Sequence, residues 1–306
     1  MNVFPLTRER ILGYIAVGLA FFQIVFGAIV RITGSGMGCG DHWPKCEGRF
    51  LPPLERPDLI IEVTHRYIAL ALSLVVLSLL ISAIARYRSG GPDLRRSAAL
   101  ATALVIAAAL LGAATVKLTL SPLVVVAHLT LAVALLATLA WFAATVGGFG
   151  AAKQASQKPA TARTRRSSTA LAAIVLLIVV LGALTANVPL AAGSCAGFPH
   201  CREIFAGGVP LWLHLTHRIL AFAVLGHVVG VFIGARRRGE SSVIRTGALL
   251  ALILITAQIL LAAAMVEMRF PPVFRSAHQA LGSLIWLAAF TLALLARVRD
   301  RLEPAT

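Results

Sequence analysis

Four histidines occupy repeated positions: His65 and His128 in the first half of the chain, His217 and His278 in the second. They stand in the stretches "VTHRY", "VAHLT", "LTHRI" and "SAHQA", each just inside a long apolar run. An ionisable ring at membrane depth is costly and by default marks a function. A lone buried histidine is often only a hydrogen-bonded packing residue. Two per half at matched depth, with the pattern duplicated, point to ligation instead. Two imidazoles facing each other, with no cysteine or carboxylate set shared by both halves, suit haem iron better than zinc. Of the other four histidines, His42 and His200 fall among cysteines, and His214 and His227 share the run of His217.

Three residues before His65 stands Glu62; three before His217 stands His214. Positions i and i+3 share a helix face, with Cβ atoms about 5–6 Å apart. A carboxylate beside a bound group can take or give protons. It can equally pair with Arg66, four residues on. The third apolar run ends on Lys117 and the seventh on Glu267. These differences suggest divided labour, with chemistry in the N-terminal half and a permanent electron-passing or structural group in the C-terminal half. Arg31, Arg66, Arg218, Arg269 and Arg275 lie near the same boundary as the histidines. Guanidinium groups pair bidentately with carboxylates such as haem propionates, or snorkel to lipid headgroups.

The elements that must position these groups are membrane helices. Hydrophobic residues make up 58% of the 306 and charged residues 13%, half the charge of a soluble domain. Hydropathy marks eight spans at about 11–31, 61–86, 98–117, 122–147, 169–188, 211–234, 246–266 and 273–296. The first is too long for a signal segment and no small-residue cleavage site follows it, so it reads as a retained helix. The net charge of +16 is largely a topology signal. Arg8, Arg10, Arg86, Arg88, Arg95, Arg96, Lys153, Lys158, Arg163, Arg165, Arg166, Arg236, Arg237, Arg238, Arg245, Arg297, Arg299 and Arg301, 18 of the 28 Lys and Arg, fall on one side if the spans alternate. That side and both termini are expected in the cytoplasm of a multi-pass plasma-membrane protein. No nucleic-acid motif accompanies the charge. Cys39, Cys46, Cys195 and Cys201 fall in the two long outer loops, where an oxidising exterior permits two local disulfides; a single four-cysteine metal site is the rival reading.

The halves repeat. "GAIVRIT" (27–33) returns as "GALTANV" (182–188), "WPKC" (43–46) as "FPHC" (198–201), "THRYIA" (64–69) as "THRILA" (216–221), and "AHLTLA" (127–132) as "AHQALG" (277–282). The near-constant offset predicts tandem four-helix bundles, related by a pseudo-two-fold axis along the membrane normal. The expected domains are 1–147, a flexible linker over 148–168 that is rich in small and basic residues, and 169–306.

The stretches "GAIVRITGSGMGC", "IEVTHRYIAL", "VVAHLTLA", "LTHRILAF" and "RSAHQALGSLIW" resemble the haem A synthases of aerobic bacteria and mitochondria over nearly the whole chain. The cysteines match the bacterial form with a pair in each half. The resemblance implies an oxidoreductase that converts a ring methyl of haem O to a formyl group, giving haem A for terminal oxidases. It implies haem b as cofactor on His217 and His278, haem O on His65 and His128, and Glu62 as the active carboxylate. It implies a functional Cys39–Cys46 pair and a more structural Cys195–Cys201 pair. Haem O synthase and terminal-oxidase assembly factors are the candidate partners, with membrane lipid; self-association is left open. Paired histidines leave no open iron position for oxygen, so the expectation is that electrons are drawn from the substrate ring and a water deprotonated by Glu62 attacks the oxidised methyl carbon. The rivals are a dihaem b-type electron carrier and, from the repeats alone, a transporter. Transporters tend to break their helices at mid-membrane, whereas here the polar residues cluster at the outer ends.

Overall fold

The computed structural model describes residues 7–40, 45–53, 55–86 and 91–298. His42, Trp43, Pro44, Arg88, Arg299 and Arg301 lie outside the described residues. The helices are α1 (Thr7–Ile32), α2 (Pro57–Ala85), α3 (Gly91–Lys117), α4 (Pro122–Thr145), the short α5 (Ala151–Ala155), α6 (Ala162–Asn187), α7 (Gly208–Arg237), α8 (Ser242–Glu267) and α9 (Pro272–Leu295). All but α5 are long and apolar enough to cross a membrane. The protein is therefore an all-α, multi-pass membrane protein with eight spanning helices, as its hydropathy predicts.

Several helices run beyond their apolar stretches. The helix α1 begins at Thr7, α3 at Gly91 and α6 at Ala162, several residues ahead of the hydropathy boundaries. Hydropathy locates the hydrocarbon, but a helix continues wherever its backbone groups gain partners. Proline opens α2, α4 and α9, where its missing N–H costs nothing. Thr161 and Ser241 cap α6 and α8 by accepting from the Thr164 and Ile244 amides at 3.3 Å.

In the first half α1 packs on α2 and α4, and α3 packs on α2 and α4. Thus α2 and α4, which carry His65 and His128, take opposite corners. The second half packs in the same order, with α7 and α9 at opposite corners between α6 and α8. The halves meet where α9 lies on α1 and α4, and α4 lies on α6. Buried Trp286 of α9 donates its indole N–H to the Val133 carbonyl of α4 at 2.8 Å. Small residues let helices approach; a Cβ added at Gly13 would come within 3.3 Å of Phe142 and Ala143. The α3–α4 and α8–α9 turns adopt one conformation. Thr119 and Leu120 (φ 48° and 57°) recur as Arg269 and Phe270 (φ 60° and 61°), and the Leu120 and Phe270 amides each reach back 2.8 Å, to Thr115 and Met265.

The end opposite the cysteine loops is clasped in each half by an arginine at the close of the histidine-bearing helix. Arg86 pairs with buried Glu9 at 2.6 Å, and Ser82 donates to the same carboxylate. Arg238 donates to Thr164 at 3.0 Å and lies 3.6 Å from Glu240. The stretch expected to be a flexible linker is held down there. The Phe149 amide donates to the Tyr14 hydroxyl, the Ser241 hydroxyl to Gln154, and the Thr161 amide and hydroxyl to Glu240 at 3.2 and 2.6 Å. Small, polar composition reports low hydrophobicity; it does not reveal a carboxylate waiting 79 residues away.

Glu240 is 2% exposed. Burial pushes its carboxyl up, but hydrogen bonds from Thr161 and Thr164, aided by Arg238, outweigh burial and hold it below the ordinary value of 4.5. A depressed carboxylate contributes stability above its unfolded pKa and loses it as pH falls through the folded value. Glu240→Ala is therefore expected to cost about 2 kcal/mol at pH 7. The gap from the unchanged protein should shrink steadily below pH 4.5. Thermal melts in detergent across pH check both.

Candidate functional site

The four repeated histidines are half-buried near the ends of their helices that adjoin the cysteine loops. Three of the four rings have a glycine neighbour that makes room for them. A Cβ added at Gly27 would sit 3.0 Å from the His65 ring, at Gly112 3.1 Å from His128, and at Gly182 2.9 Å from His217. Glycine on the facing helix thus supplies the recess. The rings of His217 and His278 face one another across the second bundle, with centroids 6.4 Å apart. Two metal–imidazole bonds of about 2 Å each, continued to the ring centres, span roughly 6 Å. A cavity opens around this pair, lined by apolar side chains together with Gln258, Arg275 and Arg31. His65 and His278 each keep a buried Nδ1 without a protein partner, which is uncommon for a buried polar atom. The donors, their spacing and the apolar cavity fit a porphyrin iron.

The five arginines divide. Arg31 reaches over from the first half, donates to the Ala186 carbonyl at 3.3 Å, and lines the second-half cavity with Arg275. With Arg218, which lines it too, they bring three guanidiniums to a largely apolar chamber. The guanidiniums of Arg66 and Arg218 are engaged by protein groups. Arg66 pairs with Glu62 and donates to the Lys45 carbonyl at 3.3 Å. Arg218, itself buried, donates to His214 Nε2 (3.0 Å) and to the carbonyls of Gly197 (2.7 Å) and Cys195 (3.3 Å). Arg269 stands in the α8–α9 turn, at positive φ.

Glu62 is 4% exposed and has both oxygens engaged, one by Arg66 and the other by the Cys39 amide at 2.8 Å. Pairing with Arg66, one of the two roles open to Glu62 from sequence, is thus present, and each oxygen keeps a further lone pair at which a proton could be taken. His214 fills the same position in the second half, between Arg218 and the Ser194 hydroxyl at 3.3 Å. The residues three before and one after the first histidine therefore form an i,i+4 pair in both halves, and each pair grips a cysteine loop. The cysteines form two local disulfides, Cys39–Cys46 and Cys195–Cys201, so no thiol is left for a four-cysteine metal site. Glu267 adds a strap in the second half, accepting from the Phe198 amide and pairing with Arg202. His227 bonds the Ser167 carbonyl at 3.0 Å, and His200 is exposed.

Sequence reasoning missed Gln23 and Gln258. Gln23 on α1 touches His65, and Gln258 on α8 donates to the His278 carbonyl at 3.0 Å. Each stands four residues before the small residue nearest its histidine, Gly27 or Ala262; that spacing was the available signal.

Eight spanning helices, with two histidines at opposite corners of each bundle, define a multi-pass membrane protein. The chain belongs to the COX15-CtaA family, described as cytochrome oxidase assembly protein, whose model matches residues 10–59 and 55–290. It is 29% identical over 304 residues to a heme A synthase of Bacillus licheniformis, covering 95% of this chain and 97% of that one. It is 29% identical over 295 residues to a heme A synthase of Geobacillus thermodenitrificans, covering 93% and 90%. A protoheme IX farnesyltransferase of Thermus thermophilus is 39% identical over 111 residues, 35% of this chain and 18% of that protein.

The clasp is expected to show in the chemistry of the loop it holds. In Arg218→Ala, dithiothreitol should reduce Cys195–Cys201 several-fold faster than in the unchanged protein, read by maleimide gel shift. Equal rates would assign the grip to the Glu267 strap instead.

Proposed function

We propose that this enzyme of haem biosynthesis is a haem A synthase, an oxidoreductase that converts a ring methyl of haem O to the formyl group of haem A. The observation that carries the reading is the facing pair His217 and His278 beside a cavity lined by three arginines, in a chain that duplicates the same histidines in its other half. The N-terminal half, 1–147, holds the substrate between His65 and His128. The C-terminal half, 169–306, holds haem b between His217 and His278. When bound, haem b supplies one-electron redox chemistry. Arg31 and Arg275 pair with its propionates, charge against charge at the chamber mouth. The apolar lining keeps water from the iron.

Glu62 stands one turn before His65 and serves as the proton acceptor. A methyl group and one water yield a formyl group, four protons and four electrons. The electrons leave to an acceptor of the quinone or redox-protein class. Taking a proton neutralises Glu62 and so weakens its hold on Arg66 and the Cys39 amide, which ties turnover to the position of the first cysteine loop. Basic residues at the ends opposite those loops support both termini in the cytoplasm and the loops outside. The local match to a protoheme IX farnesyltransferase supports a place beside the step that furnishes haem O.

The deciding experiment expresses the protein with a haem O supply and extracts the pigments. A formyl haem is expected; unaltered haem O would leave a dihaem electron carrier. His217→Ala and His278→Ala should abolish or shift the haem b spectrum, whereas Glu62→Ala should keep that spectrum and lose conversion. Loss of haem b in Glu62→Ala alone would reverse the assignment of the halves. The trapped hydroxymethyl intermediate should carry oxygen from labelled water; label from molecular oxygen would exclude the water route.

A further inference from the structure

The two binding sites have unlike needs. If the N-terminal site takes substrate, as proposed above, its occupant must come and go, whereas the cofactor in the other half must stay. The histidines differ in a way that matches. Gln23 Nε2 lies 3.2 Å from His65 Nε2 and 3.1 Å from the His65 carbonyl. A carbonyl oxygen only accepts, so the amide turns its nitrogen toward the histidine, and Nε2 of the ring is the acceptor. Phe26 stacks parallel to the same ring, centroids 6.4 Å apart. In the second half Ile178 occupies the place of Gln23, four residues before the glycine that backs His217. It lines the cavity and offers no side-chain donor. Gln258 reaches only the backbone of His278.

A lone pair that accepts a hydrogen bond is not free for iron. We infer that Gln23 is a positioning residue for exchange: its amide parks His65 in a ligand-off state and so makes the N-terminal haem site releasable. Iron must displace one hydrogen bond there, and on release the ring has a partner waiting. His217 has no such partner, so its iron bond meets no side-chain competitor.

The test uses the full chain in detergent, loaded with haem b as probe, and follows transfer to excess apomyoglobin. Two phases are expected, the fast one absent in His65→Ala. Gln23→Met keeps the side-chain length and removes the donor. It should slow the fast phase about fivefold, the worth of one net hydrogen bond, and raise the low-spin fraction of the N-terminal haem. Simple damage to packing would do the reverse and speed the loss. Ile178→Gln should quicken the slow phase. A fast phase that Gln23→Met leaves unchanged or accelerates overturns the inference. So does an unchanged slow phase in Ile178→Gln, which decides the matter if Gln23→Met fails to assemble. Absence of any fast phase in the unaltered protein would instead overturn the substrate-site reading on which this rests.

Discussion

An imidazole inside a membrane needs a partner for its nitrogens and a place for its ring, and four such rings set the terms for the rest of this structure. The place comes from the facing helix. Gly27, Gly112 and Gly182 leave recesses that a methyl group would close to about 3 Å. The partner we propose is a bound iron; His65 also meets the Gln23 amide. Within its bundle each helix that carries one of the four histidines packs between two helices that carry none of them.

The outer loops obey a second constraint. Short disulfide-closed loops have little core of their own, so they are tied to the helices that carry the ligands. Glu62 with Arg66 and His214 with Arg218 use one geometry and two chemistries. The first grips through a carboxylate and a backbone amide as well as through Arg66 and the Lys45 carbonyl. The second grips through a guanidinium and backbone carbonyls. The carboxylate can change protonation and so let go; a guanidinium does not lose its charge. The asymmetry between halves is thus a difference in how firmly each loop is held, as well as in what can move a proton.

Much of the fold was legible because lipid imposes a simple rule: apolar length means a span. The spans, their number and the tandem order followed from that rule and from the repeated stretches. Helix ends were less legible. Residues 162–168 are polar, basic and helical, and only the Thr161 cap and the Glu240 contact explain why. The histidines could be found because they break apolar runs at repeated positions. Gln23 and Gln258 could not be singled out so easily, since a glutamine in a helix is unremarkable until its neighbour is known.

By itself the sequence determined the membrane class, the eight spans, the duplicated histidines and the residues available to hold a haem, because each depends on local composition or on spacing along one chain. Tertiary structure decided which arginines face the chamber and which hold loops. It brought Arg31 from the first half to Arg275 in the second, engaged both oxygens of Glu62, and placed an amide on one histidine nitrogen. The Cys39–Glu62 and Gln23–His65 contacts join groups 23 and 42 residues apart, and Arg31 reaches Ala186 across 155; only packed elements bring such groups within the few ångströms at which hydrogen bonds and charges act.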